Sequence, residues 1–452
     1  MRTLRQFSQR LRSRCAPQAR KIVLVLSALC AFSAMSFAQV SLGSAIDLAL
    51  RNSDRVKIAA AERNSAAAAL SQVKDVFVPS LNFTSGLAKG TGFPPGDPST
   101  IKLTAQALVI NASQPQFIHA AREALNAAEL SLKNVQQEVT LDCAQTYLDL
   151  DAIHREAAAL KDEESAAGDM VRIMQDRHAA GLESALTIKK TQLRAAQARL
   201  KRLDLEARAD VLRQHLTTLT GIVGIGAETQ TASVPPFPAT GTVDEAAAAE
   251  SNEAVRSAFA VAKSKQFFAK GQHRVNLHPE FDLLLQYGYL YDFNDYGRFY
   301  VHGLPPNNAV AGIAIVVPLF NRAQVAKAAQ ADADAVKAER EADLQRSQFH
   351  EQIVQMHRAV EQTDAASDIA RLQHEISQDT LEATRLRSEN GGQVNGATVT
   401  PADVAASTME ERGLLTDAIS AEFDHVKAEL QWMRMMGTLN DWAKSALADA
   451  PK

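Results

Sequence analysis

Two passages of this chain, lying two hundred residues apart, follow one plan, and that duplication constrains the fold more than any other feature. Pro79 in Val78-Pro79-Ser80-Leu81 has its counterpart in Pro279 of His278-Pro279-Glu280-Phe281. Each proline opens a short alternating apolar stretch. A Pro-Pro loop follows (Pro94-Pro95; Pro305-Pro306), then a second alternating stretch ending at Val109 or Val317. Each half next enters a long Ala-rich, Gly-poor segment broken once in its middle. Each finishes on a glycine after an apolar turn, Leu219-Thr220-Gly221 and Met435-Met436-Gly437. Those glycines are 216 residues apart, as are Ser184 and Thr400, so the final segments keep register. The unit is two strands and then two long helices, used twice.

The four alternating stretches fit membrane-crossing strands. Leu81, Phe83, Ser85 and Leu87 share one face of the first, and Ile101, Leu103, Ala105, Ala107 and Val109 one face of the second. Phe281, Leu283, Leu285 and Tyr287 do so in the third, and Ala311, Ile313, Ile315 and Val317 in the fourth. Each is ~10 residues long, the length of a tilted strand across a bilayer. Five of the six tyrosines, Tyr287, Tyr289, Tyr291, Tyr296 and Tyr300, gather at the end of the third strand and just after it. Tyrosine collects where hydrocarbon meets water, so this reads as an aromatic girdle. The plainer reading is an exposed hairpin packing its rings on a neighbour.

The rest is helix. Leu125, Leu132, Val139, Thr146, Ile153, Leu160, Ala167 and Met174 recur every seven residues, the mark of left-handed supercoiling. Leu186, Leu193 and Leu200 continue that spacing after a break at Ala179-Ala180-Gly181-Leu182. In the second half the break is Asn390-Gly391-Gly392, and Thr400 with Pro401 forms a helix start. A helix of ~60 residues extends ~90 Å, longer than any monomeric core can bury, so it needs parallel neighbours.

The chain thus divides into a signal segment (1–38), a first repeat (39–233), a Pro-rich linker (234–241), a second repeat (242–440) and a tail (441–452). The first repeat holds strands at 79–88 and 100–110 and long helices at 116–178 and 184–220. The second holds strands at 280–291 and 308–317 and long helices at 322–389 and 400–437. Shorter helices precede each strand pair, over Leu42–Asp75 and Val243–Gln272.

Residues 1–38 carry seven basic and no acidic residues, an apolar run from Ile22 to Phe32, and Ser36-Phe37-Ala38 as a small-x-small cleavage site. Without them, 48 − 7 = 41 basic residues face 52 acidic ones, a net of −11 that disfavours nucleic acid. Cys143 is then the sole cysteine and reads as a small buried apolar residue. No enzyme signature stands out. Glu422-Phe423-Asp424-His425 matches one arm of a di-metal bundle and Asp151-Ala152-Ile153-His154 half matches, but they occupy non-equivalent repeat positions. No cofactor or metal site is expected.

Four strands cannot close a barrel, and an open sheet edge does not occur in lipid. Two, three or four copies would each close an even-stranded barrel; three give twelve strands, in the range where polar interiors open.

Several stretches together resemble the TolC-type outer-membrane efflux proteins over essentially the whole mature chain. They are Ser41-Leu42 with Ala45-Ile46, Ala49-Leu50 and Asn52; Val316-Val317-Pro318-Leu319-Phe320-Asn321; Gly181-Leu182; and Thr400 with Asp403-Val404. The chain departs from the family at Arg322, where a glycine is frequent, and at Val109-Ile110-Asn111-Ala112, which lacks the junction proline. Thr187 replaces an acidic residue that is often present, and the second tip, Asn390 to Val399, is long. The resemblance implies a homotrimer: a twelve-stranded outer-membrane β-barrel continuous with a periplasmic α-helical barrel. It also implies a passive exit channel for an inner-membrane pump, joined through a periplasmic adaptor at the hairpin tips. Gly181, Leu182, Glu183 and Ser184, with Asn390, Gly391 and Gly392, are the docking candidates; the bland reading is a helix-breaking turn with a leucine staple. Asp403, with Thr187 as its first-half counterpart, is the pore candidate, as an acidic ring at the periplasmic mouth. The bland reading of Asp403 is a carboxylate offsetting a helix dipole. The competing function is a soluble exported coiled-coil scaffold whose strands form a small cap.

Overall fold

The computed structural model describes residues 41–86, 100–222, 234–237, 245–275, 277–290, 307–389, 393–394 and 397–448. The signal segment, half of the linker (238–241), Tyr291, Tyr296, Tyr300, Asn390, Gly391 and Gly392 lie outside the described residues.

In the first half, α1 (Leu42–Asn52) and α2 (Asp54–Lys74) precede β1 (Ser80–Gly86) and β2 (Thr100–Ile110), and then come α3 (Gln114–Ala179) and α4 (Ala185–Thr220). In the second half, α5 (Glu245–Ser251) and α6 (Glu253–Val275) precede β3 (Glu280–Leu290) and β4 (Asn307–Val316). There follow α7 (Arg322–Glu389), the two-residue strands β5 (Gln393–Val394) and β6 (Ala397–Thr398), α8 (Pro401–Met435) and α9 (Leu439–Ala448).

The strands form one antiparallel sheet in the order β1-β2-β3-β4. The helices attached to them keep that order: α2 packs on α3, α3 on α6, and α6 on α7. Farther from the sheet the order is α4, α3, α8, α7. The 66-residue α3 and 68-residue α7 therefore run the length of the layer. The shorter helices fill the places beside them, above and below.

Local chemistry sets the element ends. Asn111 and Asn321 stand equivalently at the strand-to-helix junctions. The Asn111 side-chain oxygen accepts from the backbone N–H of Ser113 (2.7 Å) and Gln114 (3.3 Å), and that of Asn321 from Gln324 N–H (3.1 Å). Three residues on, Gln114 donates to the Val73 carbonyl at the end of α2 (2.6 Å) and Gln324 to the Gln272 carbonyl near the end of α6 (3.2 Å). A register shift between Leu108 and Ile110 bends β2 as it leaves the sheet.

The breaks follow helix-terminus rules. Gly181 and Gly437 adopt φ of 75°, and each closes a Schellman motif. Leu182 N–H reaches Arg177 O (2.9 Å) and Thr438 N–H reaches Met433 O (2.9 Å). Gly221, with φ of 73°, ends α4, where Asn52 donates to the Thr220 carbonyl (2.6 Å) and ties α1 to the end of α4. At Gly271 an added Cβ would lie 2.6 Å from the Phe117 ring, so α3 and α6 approach there only because the residue is glycine.

Three features differ from the sequence reading. The helix read over Leu42–Asp75 breaks at Ser53, and that over Val243–Gln272 breaks at Asn252. Asn252 accepts from Ala254 N–H (2.9 Å) and Val255 N–H (3.3 Å), restarting the helix as its cap. The tail read from 441 is helical to Ala448. Its Trp442 ring stacks on Phe237 of the linker at 5.4 Å, and α9 joins the main core with α1, α3, α4 and α8.

Candidate functional site: sheet, tunnel wall and hairpin tips

Register carries the argument at the sheet. Phe83 lies opposite Leu103, Leu103 opposite Tyr287, and Tyr287 opposite Ala309, so one face is apolar across all four strands. Leu81, Leu285, Ile313 and Ile315 extend that face, and each is exposed; Phe83 is 67% accessible. The other face is polar on β1 and β2 (Asn82, Thr84, Lys102, Thr104, Gln106), mixed on β3 (Gln286 beside Leu284) and apolar on β4 (Val310, Val316). Both edge strands are accessible along their whole length. An isolated soluble protein rarely exposes such a contiguous apolar band beside two unpaired edges. Tyr287 and Tyr289 sit on β3 at the end remote from the helices. Among the described residues no helix is long and apolar enough to cross a membrane.

At the first hairpin tip the sequence residues come together. Glu183 pairs with Arg177 (3.2 Å), and the His178 Nδ1–Glu183 carbonyl contact (2.6 Å) closes the loop on the other side. Ser184 Oγ accepts from Thr187 N–H (3.2 Å) and caps α4. With its neighbours so fixed, Leu182 is left 68% accessible, not stapled between the helices. In the second tip the described part is the β5–β6 pair, joined across Val394 and Ala397.

Asp403 occupies the third helical position of α8, as Thr187 does in α4, so the repeat places them equivalently. Its carboxylate accepts from the backbone N–H (2.7 Å) and hydroxyl (2.8 Å) of Thr400, the capping-box geometry. It remains exposed to solvent. The cap and a charge on the surface are compatible in one residue.

The two metal-like motifs are not brought together. His154 lies beside Arg213 (3.5 Å) on α4, whereas His425 faces α7 through Thr363 (3.3 Å) and Asp364 (3.9 Å). No group of three His, Cys, Asp or Glu side chains among the described residues could hold a metal. Cys143 is buried and its thiol is pushed up to about 12 by burial, with Asp142 adding to the rise, which keeps it un-ionised and unreactive.

Sequence reading missed the junction pairs Asn111/Gln114 and Asn321/Gln324. The signal was present: Asn-x-x-Gln stands at the start of both long helices, 210 residues apart. It also missed the exposure of Leu186, Leu193 and Leu200, which line a bare side of α4.

Residues 45–222 match the family model of the outer membrane efflux proteins. No curated protein sequence matches the chain. Among solved structures, the Campylobacter jejuni CmeC outer membrane channel superposes with a TM-score of 0.72 at 14% identity, covering 89% of this chain and 87% of that one. The outer membrane protein VceC of Vibrio cholerae gives 0.69 at 17% identity, covering 88% and 96%. The open state of the Neisseria gonorrhoeae MtrE outer membrane channel gives 0.70 at 14% identity, covering 88% and 89%. The likeness spans sheet and helices together, so the chain has the TolC-type fold over most of its length.

Proposed function

From this shared architecture we infer that the chain is the outer-membrane exit channel of a tripartite export system, working passively as a homotrimer. One observation carries the reading. The sheet has one apolar face, an opposite face that is polar on β1 and β2, and two open edges, and the helices continue it in the same lateral order. Copies joined edge to edge satisfy the unpaired β1 and β4 groups, bury the bare helix sides and leave the apolar band toward lipid. Twelve strands from three copies enclose a polar lumen. Energy then comes from an inner-membrane pump, and the hairpin tips, with Leu182 exposed at the first, offer the surface for a periplasmic adaptor. A scaffold function leaves the exposed band on the sheet without a purpose.

The test is the native mass and conductance of residues 39–452 extracted from membranes. A detergent-dependent trimer that forms steady conducting pores in planar bilayers is the expected result. A water-soluble monomer or dimer without conductance would overturn the channel.

A further inference from the structure

A groove of about 640 Å³ runs along α3 between α4 and α8, well within the ~300–1,000 Å³ of small-molecule sites. Its apolar lining comes from Ile153, Leu205, Val211 and Phe423. Half a turn round α3, Ala144 and Tyr147 are buried in one cluster with Leu42 and Ile46 of α1 and Trp442 of α9. Those helices thicken that side, so the groove opens on the bare side, which a closed tube turns inward.

Charge in the groove does not balance. Lys427 is shared by Asp149 (3.1 Å) and Asp424 (2.9 Å), leaving that triad one negative charge. Arg208 is matched by Asp204 (2.8 Å). Glu156 has no ion-pair partner within 4.0 Å among the described residues; burial raises its carboxyl above the ordinary range, with Arg208 and Lys427 nearby opposing the rise and Asp424 and Asp149 adding to it. The imbalance belongs to a longer pattern. Asp142, Asp149, Glu156 and Glu163 recur every seven residues on α3, and Asp403, Glu410, Asp417 and Asp424 do so on α8. Seven-residue spacing keeps each row on one side of a supercoiled helix. On α4 the matching row is basic (Arg194, Lys201, Arg208, His215), and His215 meets Asp142 at 3.0 Å. The two acidic rows meet at the seam of α3 with α8, where Lys427 answers part of their charge and Arg412 pairs with Asp162. One step along that seam Glu163 is nine-tenths buried, and its Oε2 has no hydrogen-bond partner.

We propose that this groove binds amphiphilic organic cations, the charge seated between Glu156 and Asp424 and the apolar body against Val211 and Phe423, as a resting point in the tunnel wall. The placement in a wall rests on the channel reading; the binding does not. Apolar walls favour the body of such a molecule, and partly desolvated carboxylates favour its charge more than water-exposed ones do.

The probe is ethidium, added to the full mature protein in nanodiscs of zwitterionic lipid, with empty discs as background and fluorescein as the anionic control. Saturable ethidium binding is expected, about tenfold weaker in the Glu156→Gln/Asp424→Asn double variant and weaker in Glu156→Gln alone, with fluorescein not bound. Conductance is measured on the same preparations. Unchanged ethidium affinity in both variants, or wild-type binding no greater than to empty discs, overturns the groove while a conducting pore leaves the channel standing. Loss of binding in the variants without conductance in any sample upholds the groove and removes the channel.

Discussion

Asp403 caps α8, and the acidic ring expected from the sequence would use the same carboxylate; an isosteric change separates the two readings. Its oxygens accept from Thr400 N–H and hydroxyl, so alanine removes the capping-box acceptor as well as the charge. Asparagine keeps an acceptor and loses only the charge. Asp403→Asn is expected to reduce cation preference in reversal-potential measurements with little change in thermal stability. Unchanged selectivity would leave Asp403 as a cap alone. Glu163 gives a prediction in pH. Burial raises its carboxyl above the ordinary value of 4.5; Lys201 opposes the rise and Asp417 adds to it. A carboxyl raised in the folded state contributes stability that is complete below pH 4.5 and is lost as pH climbs through the folded value. Above pH 4.5 Glu163 therefore weighs against the fold, and Glu163→Gln relieves it. The variant should melt above wild type at pH 7.5 and level with it near pH 4; equal melting at both would refute the assignment.

Among the elements, what the sequence disclosed and what it hid divide along physical lines. The seven-residue row on α3 is buried from Val139 through Ile153 and Leu160 to Met174, because a supercoiled helix keeps one stripe inward. The same spacing on α4 reaches solvent at Leu186, Leu193 and Leu200, because periodicity states that a stripe exists and not which neighbour covers it. Ser53 and Asn252 were illegible as breaks. Polar runs such as Asn52-Ser53-Asp54 and Ser251-Asn252-Glu253 suit an exposed helix face as well as a cap. The α9 helix was hidden by its place after a terminal glycine, yet Leu439, Trp442, Ala443 and Ala446 follow helical spacing and are buried. The tips were half legible. Gly181 announced the turn, while the Arg177–Glu183 pair and the His178 contact that present Leu182 needed coordinates.

In the whole molecule, every lateral order ends at an unsatisfied side. The sheet ends at β1 and β4; the lower helices end at α4 and α7. On α4 the exposed row is Leu186, Leu193 and Leu200, and on α7 it includes Ile369, Leu372 and Ile376. Edge-to-edge closure sets α4 of one copy against α7 of the next, just as β1 meets β4. Burying one such leucine is worth about 2 kcal/mol, so in the proposed trimer three per junction would contribute strongly to closure below the sheet. Charge on that row should therefore dissociate the helical wall without unfolding the copies. Leu193 and Leu200 are exposed in the single copy, and glutamate retains high helix propensity. The Leu193→Glu/Leu200→Glu variant is expected to keep wild-type helicity by circular dichroism while its trimer falls to monomer in mild detergent. A variant that stays trimeric and conducts normally would mean that the strands alone seal the tube, with the helices only standing side by side.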